Sequence, residues 1–77
     1  MTDPHAPRHD LNRILAVRVK ECMKALDLTQ WRLAALAGVD ERTIRRIVRG
    51  DGARLETIER VAIALHVEAT SLLQYAA

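Results

Sequence analysis

The chain has 77 residues and a formal net charge of +2, and 49% of its residues are apolar while only 3% are aromatic. This length supports one small domain and leaves little material for the cleft of an enzyme. Because the apolar residues are mainly Leu, Ile, Val and Ala, which fill helix interfaces, the composition predicts an all-α domain rather than a sheet.

The sequence carries no signal for a disulfide, a metal site or a membrane span. Cys22 is the only cysteine, so it cannot form an internal bridge, and we expect it to be a small core residue rather than a reactive thiol. His5 and His9 lie on a segment predicted to be flexible and make a weak metal site. Without a signal peptide or a bilayer-spanning apolar run, the protein is expected to be soluble and cytoplasmic, with no metal or cofactor.

The first residues, 1–9, are predicted to form a flexible arm because they contain two prolines and no apolar periodicity. The remaining residues, 10–77, are predicted to form the domain. Asp10 is the expected N-cap of a first helix over about 11–26, after which Asp27 occupies a place that often requires a left-handed residue. The apolar stripe of this helix consists of Leu15, Val19, Cys22 and Leu26.

Two short helices are predicted next. Thr29 is a good N-cap for a second helix over 30–37, which Gly38 ends. After a short break, Asp40 is expected to cap a third helix over about 40–49.

The third helix is predicted to have an apolar back and an arginine-rich front. Ile44 and Ile47 point inward at helical spacing. The outward positions are occupied by Glu41, Arg42, Arg45, Arg46 and Arg49. Over residues 29–50 five arginines face only two acids, so the basicity of the chain is concentrated here.

A turn signal at residues 50–52 precedes a fourth helix over about 55–65, and a last short helix holds Leu72 and Leu73. Five helices with short connections predict a compact bundle. The second and third helices are each about two turns long and are joined by a short Gly-containing turn, which is the spacing of a helix-turn-helix.

The motifs around this pair of helices are more specific than their spacing. They are Leu28-Thr29-Gln30, Leu33-Ala34, Ala37-Gly38-Val39, Arg42-Thr43-Ile44, Arg46-Ile47, Arg49-Gly50, Leu55-Glu56-Thr57 and Ala62-x-Ala64-Leu65-x-Val67. This pattern resembles the lambda-repressor/Cro-like family, often called XRE-type regulators, over roughly residues 11–74. The resemblance implies a compact five-helix lambda-repressor-like DNA-binding domain with a helix-turn-helix.

The resemblance also implies how such a domain docks on double-stranded DNA. The third helix enters the major groove N-terminus first, while the start of the second helix lies on the phosphate backbone. Carried onto this sequence, the base-reading candidates are Glu41, Arg42 and Arg45. The residues that would contact phosphates are Thr29, Gln30, Arg32, Thr43, Arg46 and Arg49. Because a guanidinium can donate two hydrogen bonds to guanine and a carboxylate can accept one from cytosine, we expect a G/C-containing half-site.

Ordinary structural explanations compete with these roles. Exposed helix faces rich in arginine are often simply solvated. Glu41 has two alternatives to base contact, because an acid favours the helix dipole at an N-terminus and can also pair with Arg45 one turn later. No Ser, Cys, His or carboxylate cluster is arranged for catalysis, so an enzyme is not expected.

Several apolar residues stand where the family usually carries charged ones, namely Trp31, Leu36, Val48 and Ile63. A cluster of them would mark a contact with another chain, and a homodimer is the natural candidate because family members often bind two half-sites. The alternative for Trp31 is that it covers the core near the end of the first helix. Two caps are also unusual: Arg54 and Glu68 replace the usual capping residues, and His66 replaces the usual Gly.

The sequence therefore predicts a sequence-specific DNA-binding transcriptional regulator, most simply a homodimeric repressor. The alternative is an antitoxin-like or adaptor module with the same fold, in which Trp31 and its apolar neighbours bind a partner protein and DNA binding is secondary.

Overall fold

The computed structural model describes residues 6–74, and in this range the backbone is helical with short connections. Its elements are α1 (Ala6–Ala25), α2 (Gln30–Ala37), α3 (Glu41–Val48), α4 (Leu55–Ala64) and a 3-10 helix (Ala69–Leu73). The all-α class predicted from composition is confirmed over the described range. The bounds of α2 agree with the prediction at both ends.

The first helix starts earlier than predicted. It begins at Ala6, five residues before the expected start at Leu11, so Asp10 is inside the helix and is not its N-cap. Pro7 falls in the first turn, where the missing N–H of a proline would have had no helical partner, so it does not prevent this earlier start. The part of the predicted arm that precedes Ala6 lies outside the described residues.

The core is an apolar cluster to which every helix contributes. Its largest fully buried side chains are Leu15, Val19, Leu33, Ile44, Ile47, Val61 and Leu72. No polar or charged residue is buried among those described. Met23 belongs to this cluster, whereas Leu26, assigned to the apolar stripe from its spacing, is 45% exposed. Leu26 lies one residue beyond the end of α1, so the helical period no longer determines which way its side chain points.

Three of the helices end in the same way, with a residue in the left-handed conformation followed by an apolar residue. The pairs are Asp27–Leu28, Gly38–Val39 and His66–Val67, with φ values of 56°, 72° and 61° at their first members. The N–H of the apolar residue donates to a carbonyl five residues earlier, as in the Schellman motif: Leu28 to Met23 at 2.8 Å, Val39 to Ala34 at 3.0 Å, and Val67 to Ala62 at 3.0 Å. Each pair thereby turns the chain and packs an apolar side chain against the core.

We expect His66→Gly to raise the free energy of unfolding by about 1 kcal/mol. His66 is exposed and has a φ of 61°, a conformation that a Cβ disfavours and glycine adopts freely. Urea denaturation followed by far-UV circular dichroism measures the change. His66→Ala is the control, because it removes the imidazole and keeps the Cβ. An equal gain in both variants would show that the imidazole, and not the backbone strain, sets the difference.

The connection from α3 to α4 is fixed against α1. Gly52 has a φ of 82°, and a Cβ added there would lie 2.6 Å from Asn12 Oδ1. Only glycine therefore lets this loop approach α1 so closely while it takes a left-handed turn. As a result, the start of α4 is placed beside α3, where the candidate site lies.

The predicted fifth helix is a 3-10 helix rather than an α-helix. The carbonyl of Glu68 accepts from the Ser71 N–H at 3.0 Å and also from the Ser71 hydroxyl at 2.7 Å, so the serine holds this turn in the tighter i to i+3 pattern. Arg18 Nε donates to the Ser71 carbonyl at 3.2 Å and joins the segment to α1. Leu72 is fully buried, so the 3-10 helix closes the core.

Candidate nucleic-acid interface

Helices α2 and α3 form a two-helix unit in which each helix has eight residues and the connection is Gly38-Val39-Asp40. α3 packs against both α1 and α2, and α2 also packs against α4. These contacts hold α3 from behind. Its remaining face is left open to solvent, which is the arrangement that the helix-turn-helix spacing predicts.

The open face of α3 carries a stripe of four arginines. Ile44 and Ile47 are fully buried, as predicted, while Glu41 and the four arginines on the other side of the helix are exposed. The arginines are Arg42, Arg45, Arg46 and Arg49. Because they are spaced by three, four and seven residues, they share one face and form a positive ridge about 10 Å long. We call these four residues the arginine ridge.

Asp40 is the N-cap residue of α3, and it contributes hydrogen bonds to the helix start only through its backbone. Its side chain makes no capping hydrogen bond, which corrects the expectation that the carboxylate would cap the helix. Its carbonyl accepts from the Thr43 N–H at 3.0 Å and from the Ile44 N–H at 3.3 Å. The first two N–H groups of α3 therefore point out of the helix end without a side-chain cap.

The start of α2 has the cap that the sequence predicts. Thr29 Oγ1 accepts from the Arg32 N–H at 3.0 Å, and Gln30 is the half-buried first residue of the helix. Arg32 is exposed. The threonine hydroxyl still has its own proton to donate, so this helix end presents a hydroxyl and an amide together.

Arg49 has an intramolecular partner that the sequence did not indicate. Its Nε and Nη2 both donate to Asp51 Oδ2, at 3.2 and 2.9 Å. The two side chains remain 62% and 47% exposed, so the pair is well solvated and contributes little stability. An anion can therefore compete with Asp51 for this guanidinium.

A cavity of about 400 Å³ lies where α3 meets the start of α4. Its polar lining consists of Thr43, Arg46, Arg54 and Thr57. A second cavity of about 450 Å³, which includes Asn12, opens beside it on the same two arginines. Two guanidinium groups and two hydroxyls beside a helix N-terminus form a suitable environment for a phosphate.

Like Thr57, Arg54 is a polar residue of this cavity that the sequence interpretation missed. It was treated only as an unusual cap, and the structure confirms that it stands at the N-cap of α4 without a side-chain capping bond. Its nearness to Arg46 depends on how the loop folds back over α3. The available signal was an arginine placed directly before a helix start, close to the Gly50-Asp51-Gly52 turn.

The apolar residues assigned to a partner surface differ in exposure, and two of them lie on different sides of α2. Trp31 is 65% exposed, Leu36 51% and Ile63 75%, whereas Val48 is half-buried and packs against the core. Trp31 does not cover the core, so that alternative is wrong. Five positions separate Trp31 from Leu36, which places them about 140° apart around α2, so they do not form one patch.

The described part of the chain contains no candidate metal cluster and no candidate membrane span. No group of three or more His, Cys, Asp or Glu residues there could hold a metal ion. None of its helices combines the length and the apolar character needed to cross a membrane.

Comparison with known proteins gives one family. A family model described as helix-turn-helix matches residues 19–72, which is well over half of the chain. The match runs from the middle of α1 to the buried Leu72 and includes the whole of α2, α3 and α4. No curated protein and no solved structure was found to match.

Proposed function

Since the chain belongs to the lambda-repressor/Cro-like (XRE-type) helix-turn-helix family of DNA-binding regulators, we propose that it is a sequence-specific transcriptional regulator, most simply a repressor, with no enzymatic activity. In this proposal it acts in the cytoplasm and inserts α3 into the major groove of double-stranded DNA. The observation that carries the proposal is the arginine ridge, which is exposed on a helix anchored by the fully buried Ile44 and Ile47.

The first half of α3 is proposed to read bases. Arg42 and Arg45 lie one turn apart and are exposed, so each guanidinium can donate to O6 and N7 of a guanine. Glu41 precedes them at the helix start, where its carboxylate can accept from the N4 amino group of a cytosine. A half-site that contains G and C follows from these side chains.

The phosphate contacts are proposed to lie on both sides of this helix. On one side, Thr29 and Gln30 meet the backbone at the start of α2, with Arg32 beside them. On the other side, the cavity between α3 and α4 holds Thr43 and Arg46. Arg54, which shares this cavity, joins the set of proposed contacts. Arg49 completes the set if a phosphate displaces Asp51 from its guanidinium.

Selection from a random duplex DNA library at low salt tests the proposal. We expect enrichment of a G/C-containing half-site, with affinity that falls steeply as salt increases, because each phosphate contact releases counterions. Recovery of no preferred sequence, or binding that is independent of salt, would reject sequence-specific DNA recognition.

We also propose that the protein forms a homodimer through a surface that includes Trp31. The exposed indole offers a large apolar side chain to a second copy, and a two-fold dimer would match two half-sites about 34 Å apart. Sedimentation at micromolar concentration should show two chains, and Trp31→Ala should shift the population toward one. Leu55→Ala is the matched control, because Leu55 is 66% exposed and lies outside the proposed surface. A dimer unaffected by Trp31→Ala would exclude this residue from the interface.

The exposed Trp31 also favours a second candidate function, that of an antitoxin-like or adaptor module. In that case a partner protein covers the indole and DNA binding is secondary. A monomer in sedimentation that selects no DNA sequence would favour this candidate over the regulator.

A further inference from the structure

A second cationic surface lies where α1 passes the C-terminal end of α3. It borders a groove of about 310 Å³. Arg13, Val17 and Lys20 line the groove from α1, and Val48 and Arg49 line it from the end of α3. We call it the α1 groove. Of the residues proposed to contact DNA, only Arg49 lines this groove.

The cations of this groove are available for an external partner. The nearby carboxylate of Glu21 is held by Arg18 at 2.9 Å, and no described side chain forms an ion pair with Arg13 or Lys20. Arg49 already binds one carboxylate, that of Asp51, which shows the type of group that this rim accepts. Arg13 and Lys20 therefore have no ion-pair partner among the described side chains, while the charge of Arg49 is partly neutralised by Asp51.

The groove also has an apolar part between its cations. Val17 is 43% exposed although it lies in the middle of α1, and Val48 beneath it is half-buried. Arg13, Val17 and Lys20 are spaced by four and three residues, so they share one helix face, with the two cations about 10 Å apart. A phosphate backbone would use the cations and leave the valines uncovered, whereas a segment that is both acidic and apolar would use all of them.

The groove is separate from the proposed base-reading residues. Arg42 is seven positions before Arg49, which places it about 10 Å away along the axis of α3. α3 meets DNA with its N-terminal half in the proposed docking, so the end of the helix that borders the groove is farther from the bases.

We propose that the α1 groove binds an acidic amphipathic helix of a partner protein. Two carboxylates of that helix, seven positions apart, pair with Arg13 and Lys20, and an apolar side chain between them covers Val17 and Val48. A third carboxylate replaces Asp51 at Arg49. This binding does not depend on whether the protein reads DNA.

The test uses the full chain and a fluorescein-labelled, alanine-based helical peptide with glutamates at positions i and i+7 and leucine at i+4. Fluorescence anisotropy should show saturable binding that weakens as salt increases. The double variant Arg13→Glu/Lys20→Glu should weaken it about tenfold or more, because two attractive pairs become repulsive. Val17→Asn should weaken it as well, since it removes the apolar contact without adding a charge. Arg13, Val17 and Lys20 are exposed, so we expect the variants to fold, and circular dichroism checks this.

Matched controls separate this site from other sources of attraction. Arg60→Glu reverses an exposed charge on α4, outside the groove and outside the proposed DNA contacts, and should leave peptide affinity within about twofold. A peptide with lysines in place of the glutamates should not bind. Equal weakening by Arg60→Glu and Lys20→Glu would overturn the proposal, because the attraction would then come from overall charge.

The proposal would also be overturned if the groove binds DNA or a second copy of the chain instead of an acidic helix. If the double variant leaves peptide binding unchanged and lowers the salt dependence of duplex DNA binding, the groove contacts phosphates. If the double variant separates a dimer of the wild-type chain and the peptide does not compete with that dimer, the occupant is a second copy.

Discussion

Ile47→Ala is expected to lower the free energy of unfolding by about 2–5 kcal/mol, a large part of the stability of a domain of this size. Ile47 has no exposed surface and lies in the cluster that joins α3 to the core. α3 has only eight residues, and helices this short do not form alone in water, so packing of Ile44 and Ile47 has to hold it. The variant should therefore also bind DNA more weakly, because α3 is no longer held in place.

Ile63→Ala is the matched control, because it removes the same atoms from a side chain that is 75% exposed. Its free energy of unfolding should change by less than about 0.5 kcal/mol. Urea denaturation followed by circular dichroism at 222 nm measures both variants under the same conditions. If the two midpoints shift equally, Ile47 does not anchor α3 in the way that its burial indicates.

Local chemistry explains why the central helices were predictable. Thr29 and Gly38 act within one turn of the helix that they border, through a side-chain oxygen and a left-handed backbone. Ile44 and Ile47 follow the helical period, which determines the buried side of α3 whatever packs against it. The same local reasoning predicted a left-handed Asp27 at the end of α1, whereas His66 was noted only through the family resemblance, as the residue in place of the usual Gly; both have a positive φ.

Other features depend on contacts between distant parts of the chain. The side chains of Arg46 and Arg54 line one cavity only because the loop between α3 and α4 folds against α1 at Gly52. Val48 was assigned to a partner surface because the family usually carries a charged residue there, yet it is half-buried and packs against the core. Helical periodicity does not predict which residues from distant parts of the chain come close together.

The early start of α1 has a different cause. Two prolines favoured an irregular arm, and Asp10 matched the preference of an N-cap. A proline in the first turn is compatible with a helix, however, so Pro7 did not mark a boundary. The roles proposed for the arginine ridge remain predictions, because burial and spacing determine where a side chain lies and not what it binds.

Arg42→Ala is expected to cost about 1–3 kcal/mol in binding to the preferred DNA site, a loss of about 5- to 150-fold, and to relax the preference at one base pair. The reason is that two hydrogen bonds to guanine disappear while the fold is unaffected, since Arg42 is exposed and pairs with no described side chain. Binding to unrelated DNA should weaken only slightly. Competition titrations against single-base variants of the selected site measure the preference at each position.

Arg49→Ala is expected to give a different result from Arg42→Ala, and the contrast distinguishes a phosphate contact from a base contact. Removing a phosphate contact should weaken binding to all sequences alike and reduce the slope of log affinity against log salt by about one. Because Asp51 already neutralises part of the Arg49 charge, the reduction should be smaller than for Arg46→Ala, whose guanidinium forms no ion pair with a described side chain. Equal changes in base preference for Arg42→Ala and Arg49→Ala would mean that the first half of α3 does not carry the specificity, and that the proposed docking is wrong.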